Sequence, residues 1–327
     1  MALHQASGRW QLGLVLALST AALWATLPVA LKLALEVTDA YTLTWFRFLV
    51  AALVMGAWLG LRNGLRGFAT LSRADWLLLS LAALMLMGNY VLYLLGLDLT
   101  TPANAQLIIQ LAPLLMAVGA IVVFGERFSR GQWIGLGVLA CGLALFFRDQ
   151  LLVAVAAPGR YLAGSLLVAG GAVVWAAYAL AQKQLLTRLS SPAVMLFIYA
   201  VASVVLLPTA TPRPLLELGT LHWLALLYCA FNTLAAYGAF AEALAHWDAS
   251  RVSVVLAITP LLTMLVVALV HALAPAMVAA EQIGALGYLG AVLVVVGSAA
   301  SSLLGTRRAP LLVPAAAAAV PADSTQR

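Results

Sequence analysis

Charged side chains make up only 9% of the sequence, against roughly 25% in an ordinary soluble domain. That leaves too little polar surface to cover a globule, and it excludes a water-soluble body as the main mass of the chain. Cysteine is nearly absent: Cys141 and Cys229 both sit inside apolar runs. They read as small buried hydrophobes, so a disulfide scaffold and a thiolate metal site are excluded. His-Glu-x-x-His and paired acidic residues inside a span are also missing. His4, His222, His246 and His271 lie at or beyond the expected helix ends. No catalytic residue, metal site or cofactor site is therefore expected. What is present is apolar: 65% hydrophobic residues and a mean hydropathy of +1.06 over 327 residues.

A membrane-spanning helix needs about 20 mostly apolar residues. The hydropathy pattern predicts helices at 11–35, 41–61, 75–97, 102–124, 131–147, 161–186, 192–209, 220–245, 250–273 and 282–304. The first run, with Pro28 and Lys32 inside it, is too long for a signal-peptide core and reads as a first span. The net charge of +6 does not point to nucleic acid, because the basic residues recur between apolar runs instead of forming one patch. Arg9, Arg62, Arg66, Arg73, Arg127, Arg130, Lys183, Arg188, Arg251, Arg307, Arg308 and Arg327 fall on one side. Only Lys32, Arg148, Arg160 and Arg213 fall on the other. The excess of Lys and Arg predicts a multi-pass plasma-membrane protein with both termini cytoplasmic.

An internal repeat divides the chain. Leu23-Trp24-Ala25 and Lys32 match Val174-Trp175-Ala176 and Lys183 at an offset of 151. Tyr90 and Pro113 match Tyr237 and Pro260 at 147, and Glu126, Gly135 and Gly142 match Glu281, Gly290 and Gly297 at 155. Small shifts of offset are what unequal loops produce. An odd number of helices per half makes the second copy enter from the opposite face. The predicted fold is all-α and integral to the membrane, with ten helices as two inverted five-helix repeats. Residues 1–10 form a cytoplasmic start, 11–147 the first repeat, 148–160 a linker, 161–304 the second repeat and 305–327 a disordered tail. Inverted repeats of this kind build secondary transporters, with the substrate site near mid-membrane between the repeats.

Further residues carry a family resemblance. Tyr93-Leu94-Leu95-Gly96-Leu97, Thr100 to Ala105 and Leu111-Ala112-Pro113 resemble a motif of the drug/metabolite transporter superfamily. So do Tyr237 through Leu244, Asp248 to Val252 and Ile258-Thr259-Pro260. Gly125-Glu126 with Gln132, Gly135 and Gly142 resembles the opening of the last helix of each half. The resemblance runs from about Gly13 to Leu304 and is closest to the EamA-type branch, in particular the bacterial aromatic amino-acid exporters. It implies export of aromatic or hydrophobic amino acids or similar amphiphilic metabolites. A multidrug or other metabolite exporter of the same superfamily is the alternative, with an intramembrane enzyme or a non-transporting subunit as distant ones. Expected partners are a small-molecule substrate and lipid, not nucleic acid, and two complete halves allow a functional monomer.

Depth along each predicted helix singles out candidate residues, using a rise of about 1.5 Å per residue. Trp24, Trp175, Asn89, Tyr90 and Tyr237 fall near mid-span. Trp and Tyr otherwise gather at the interfaces, and their polar atoms need partners when buried. Tyr93 shares a face with Asn89 and Tyr90, and Tyr178 lies one turn from Trp175. These seven are the candidate substrate-binding residues, with helix packing as the alternative for each. Arg47, about two turns into the second helix, is expected to bond neighbouring carbonyls. Lys32 and Lys183 are expected to reach water from helix ends. Together these placements disfavour a phosphate substrate. Glu242, the acidic residue deepest in a span, is a candidate gate or proton relay, alone or paired with Lys183. Glu126 and Glu281, at helix starts, read as structural. Pro28, Pro113 and Pro260 interrupt spans and are candidate hinges or static kinks.

Overall fold

A computed structural model describes residues 9–62, 65–124, 128–156, 159–186, 188–246, 252, 255–275, 277–278 and 283–304. The first half runs through α1 (Trp10–Leu35), α2 (Ala40–Leu61), α3 (Arg73–Leu99), α4 (Pro102–Ile108), α5 (Leu111–Phe124) and α6 (Arg130–Ala156). The second half runs through α7 (Arg160–Leu185), α8 (Ser191–Leu206), α9 (Thr220–His246), α10 (Thr259–Leu273) and α11 (Ala285–Leu303). Single 3-10 turns, Arg66–Thr70 and Arg213–Glu217, precede α3 and α9. Five helices are long and apolar enough to cross a membrane by length and composition, and four shorter apolar ones accompany them. Large aliphatic residues such as Leu53, Leu77, Val122, Leu166, Val204 and Leu224 cover the outside. In water such a surface would be an association hazard; in a bilayer it faces its own solvent.

The expected spans need two corrections. The spans expected at 102–124 and 250–273 are interrupted just before their prolines. In the first, Ile109 and Gln110 form a turn between α4 and α5. In the second, Ile258 is a turn residue ahead of α10. The cause is local, since a proline lacks the N–H that would reach the carbonyl four residues back. Beside Pro113 the Ile109 carbonyl is taken by the Ala112 amide at 2.9 Å. Beside Pro260 the Leu256 carbonyl is taken by the Thr259 hydroxyl at 2.6 Å. The second correction concerns α6, which continues beyond 147 to Ala156 and enters the stretch expected as a linker. Gly159, at φ 114°, begins α7 in a backbone conformation that a side chain would strain.

The inversion is visible in the packing. α3 packs on α7 as α9 packs on α1, and α3 meets α8 as α9 meets α2. α5 lies against α7 as α10 lies against α1. Each pair maps onto the other when the halves are exchanged. Two pairs, α6 with α11 and α2 with α8, map onto themselves and therefore straddle the pseudo-two-fold axis. The α6–α11 crossing is made by the repeat-related glycines. A Cβ on Gly142 would stand 2.6 Å from the Val294 nitrogen and 2.7 Å from the Gly290 oxygen. Glycine there lets the two backbones touch, as in other close-packed membrane helices.

Loop polar groups close the ends. Asp39 caps α2, accepting from the Tyr41 and Thr42 amides at 2.8 and 2.9 Å and from the Thr42 hydroxyl. The Thr211 hydroxyl also donates to Asp39 at 3.1 Å, which ties the α1–α2 turn to the segment after α8. Burial disfavours the Asp39 carboxylate, but these hydrogen bonds outweigh it and hold its pKa below the usual value. Lys32 does not simply reach for water. Its Nζ donates to the carbonyls of Leu97, Asp98 and Thr100 at 2.8, 2.6 and 3.0 Å, a cation on the C-terminus of α3. Cys229 is buried as expected, whereas Cys141 faces outward from α6.

Candidate functional site

Tyr90 and Tyr237 locate the middle of the molecule. Each is the eighteenth residue of a 27-residue helix, α3 and α9, in opposite halves. The inversion makes these helices enter from opposite faces, yet the two hydroxyls lie within electrostatic reach of each other. Residues equally deep from opposite faces can meet only near mid-depth, on the axis. The hydroxyls of Tyr178 and Tyr199 lie within electrostatic reach of this pair.

Aromatic rings surround the pair. Phe48 of α2 lies 4.6 Å from the Tyr90 ring and 5.5 Å from that of Tyr199. Trp24 meets Tyr237 edge-on at 5.8 Å and Phe240 at 5.9 Å. Trp175 meets Tyr178 edge-on at 6.2 Å. Such contacts are favourable beyond the area they bury. The Tyr178 hydroxyl donates to the Met195 sulfur at 3.3 Å.

Arg47 of α2 lies inside this ring. It is 3% exposed. Its guanidinium carbon stands 4.8 Å from the centre of the Tyr90 ring, within cation–π range. Its Nε donates to the Thr233 hydroxyl at 3.1 Å, and that hydroxyl donates to the Cys229 carbonyl at 2.9 Å. The expected bonds to neighbouring carbonyls are not those found. Among the described residues, the ion pairs are His222–Glu36 and His246–Glu242, both at helix ends, and no carboxylate faces Arg47.

Of the seven expected residues, Tyr90, Tyr178 and Tyr237 come together with Trp24 and Trp175 around them. Asn89 and Tyr93 stand apart. The Asn89 amide donates to the Gly171 carbonyl at 3.0 Å, joining α3 to α7. Tyr93 donates to Gln106 of α4 at 3.3 Å. Phe48, Thr233, Tyr199 and Arg47 were missed or undervalued. The repeat could have found two of them, because Phe48 and Tyr199 are matched at the offset of 151 that relates Trp24 to Trp175. Glu242 is directed away from the ring. Its side chain is 62% exposed and pairs with His246, four residues on, at 3.0 Å. The side chains of Lys183 and Pro113, and all of Glu126 and Glu281, lie outside the described residues. Pro28 is buried within α1. Beside it the Asn232 amide of α9 donates to the Leu23 carbonyl at 2.7 Å.

Two stretches of the chain, 11–148 and 162–303, each match the model of the EamA-like transporter family. The chain belongs to the EamA-like transporter family. Similar proteins include the uncharacterized inner membrane transporter YhbE of Escherichia coli K12, 36% identical over 89% of this chain and 91% of that protein. An uncharacterized transporter of Haemophilus influenzae is 36% identical over 89% of this chain and 95% of its own length. A solved crystal structure of a protein 22% identical in sequence superposes with a TM-score of 0.57, covering 92% of this chain and 98% of that one. This EamA-like chain is therefore a membrane transporter of ten spans in two inverted halves, not a member of an enzyme family.

Proposed function

We propose that this EamA-like protein exports aromatic or hydrophobic amino acids, or similar small amphiphilic metabolites, by alternating access. The observation that carries the reading is the ring of Trp24, Phe48, Tyr90, Trp175, Tyr178, Tyr199 and Tyr237 gathered at the pseudo-axis. Flat apolar faces with hydroxyls at their edges suit a ligand that has both an aromatic or aliphatic body and polar ends. Among the described residues this wall has no cluster of cations for phosphate.

The broken spans supply the motion in this reading. Pro113 and Pro260 sit at matching places in the two halves, and Pro28 sits where α1 meets α9. Bending at these points opens the ring to one face and then the other. The Lys and Arg distribution supports cytoplasmic termini. A complete pair of halves supports a monomer as the working unit. The test is flux from liposomes that contain the purified protein and are loaded with labelled phenylalanine, tryptophan or leucine. Protein-dependent efflux, reduced at least about tenfold by Trp24→Ala or Tyr237→Ala with the fold intact, is expected. Absence of flux for all three amino acids sinks the reading.

A further inference from the structure

We infer that Arg47 is the anchor for an anionic group, a carboxylate, on the transported molecule. The inference rests on the transport reading of the same site and names which end of the substrate is held. A guanidinium remains charged in proteins, and placing one inside a membrane protein is costly unless it is paired. Arg47 is 3% exposed, and among the described residues no Asp or Glu pairs with it. Its protein contacts are one hydrogen bond, from Nε to Thr233, and the face of Tyr90. Five N–H donors belong to the group. The four on the terminal nitrogens have no protein acceptor among the described residues.

Those nitrogens are also not sealed in. The fully enclosed polar atoms without a partner are Asn104 Oδ1 and Asn232 Oδ1, and no atom of Arg47 is among them. The free edge of the guanidinium therefore keeps a small accessible surface. A planar fork of N–H groups matches a carboxylate with two parallel bonds. The neighbouring groups fit the same ligand. The stack on Tyr90 and the bond to Thr233 hold the guanidinium plane in place, so little ordering remains when the ligand arrives. The rings of Phe48 and Tyr199 give the apolar body of the ligand a wall. A lipophilic cation would meet an uncompensated positive charge at this position, so drug-like amines are poor substrates. The repeat offers no second such group, since the position matching Arg47 in α8 is Ile198, fully buried. The anchor is single, and the ligand binds in one orientation.

The test uses the purified full chain in detergent, with ligand-dependent thermal stabilisation read for four probes. They are phenylalanine, phenylalaninamide, phenethylamine and 3-phenylpropionate. Phenylalanine and 3-phenylpropionate should stabilise the protein, with the amide and the amine at least about tenfold weaker, since a ligand that favours the folded state raises its stability. In Arg47→Gln the advantage of the acids over the amide should disappear. Arg47→Lys keeps the charge without the fork and should keep a reduced preference for acids, and it serves where the Gln variant does not fold. Equal binding of phenylalanine and its amide by the wild-type chain overturns the anchor and leaves the transport reading standing. Unchanged binding of phenylalanine by Arg47→Gln does the same. Silence for all four probes removes the transport reading and the anchor with it.

Discussion

The two halves share a frame and differ in what hangs on it. Helix starts match across the repeat: Ala40 with Ser191, Arg73 with Thr220 and Arg130 with Ala285. Burial matches too, with Leu43 and Val194, Ala51 and Ala202, and Leu79 and Leu226 all inside. Around the axis the aromatic frame is paired, as Trp24 with Trp175, Phe48 with Tyr199 and Tyr90 with Tyr237. The polar handles are not. Arg47 matches Ile198, and Thr233 matches Leu86. Frame positions are constrained twice, because the same packing must work in both orientations. A bound molecule without two-fold symmetry needs different groups at its two ends, and these appear where the repeat is broken. The difference separates what builds the fold from what would recognise a ligand.

The frame breaks first at the α6–α11 crossing. Gly142→Leu puts a side chain against the backbone of Val294 and should cost about 3 kcal/mol, the upper range for overpacking. Gly137→Leu on the same helix, where nothing stands within 4 Å, should change stability by less than about 0.5 kcal/mol. Thermal denaturation in detergent compares the two.

Arg47→Ile makes the first half like the second. Removing an unpaired buried cation should leave stability unchanged or raise it by up to about 2.5 kcal/mol, while flux in liposomes falls to background. Lost stability together with lost flux would mean that Arg47 serves packing.

The caps of α2 and α8 form a third contrast. Asp39 caps α2 with its side chain, whereas Ser190, its counterpart, makes no side-chain cap bond. Asp39→Ala should cost about 1 kcal/mol and Ser190→Ala close to nothing. Because folding lowers the Asp39 pKa, its contribution is complete above the unfolded value of about 3.9 and fades as pH falls through the lower folded value. Melting curves of wild type and Asp39→Ala should therefore draw together as pH falls below about 3.9 and stay apart at pH 7.

The smallest effect tests the axis itself. Tyr90→Phe, Tyr237→Phe and the double variant form a cycle whose coupling should be about 0.5 kcal/mol, the low end for residues that sit close together. A coupling indistinguishable from zero would deny that the two hydroxyls lie close together.

Much of this is legible in the amino-acid sequence alone. Scarce charge and long apolar runs determined that lipid is the solvent, and with it an all-helical spanning fold, because backbone polar groups in hydrocarbon must be satisfied within the segment. The Trp24/Trp175, Tyr90/Tyr237 and Pro113/Pro260 matches determined the repeat, and an odd number of helices per half determined the inversion. Family membership followed from the same motifs. Only the tertiary structure decided which side of each helix faces the axis. In these helices the apolar residues go all the way round, so periodicity cannot separate a face on lipid from a face on protein. Asn89 and Tyr93 shared a predicted face with Tyr90 yet turned to α7 and α4. Glu242 turned outward to His246. Arg47 sat among apolar neighbours with nothing in its own segment to say what it meets. Its surroundings come from Tyr90, Thr233 and Tyr199, on three other helices and in both halves of the chain, and sequence distance carries no information about such a meeting.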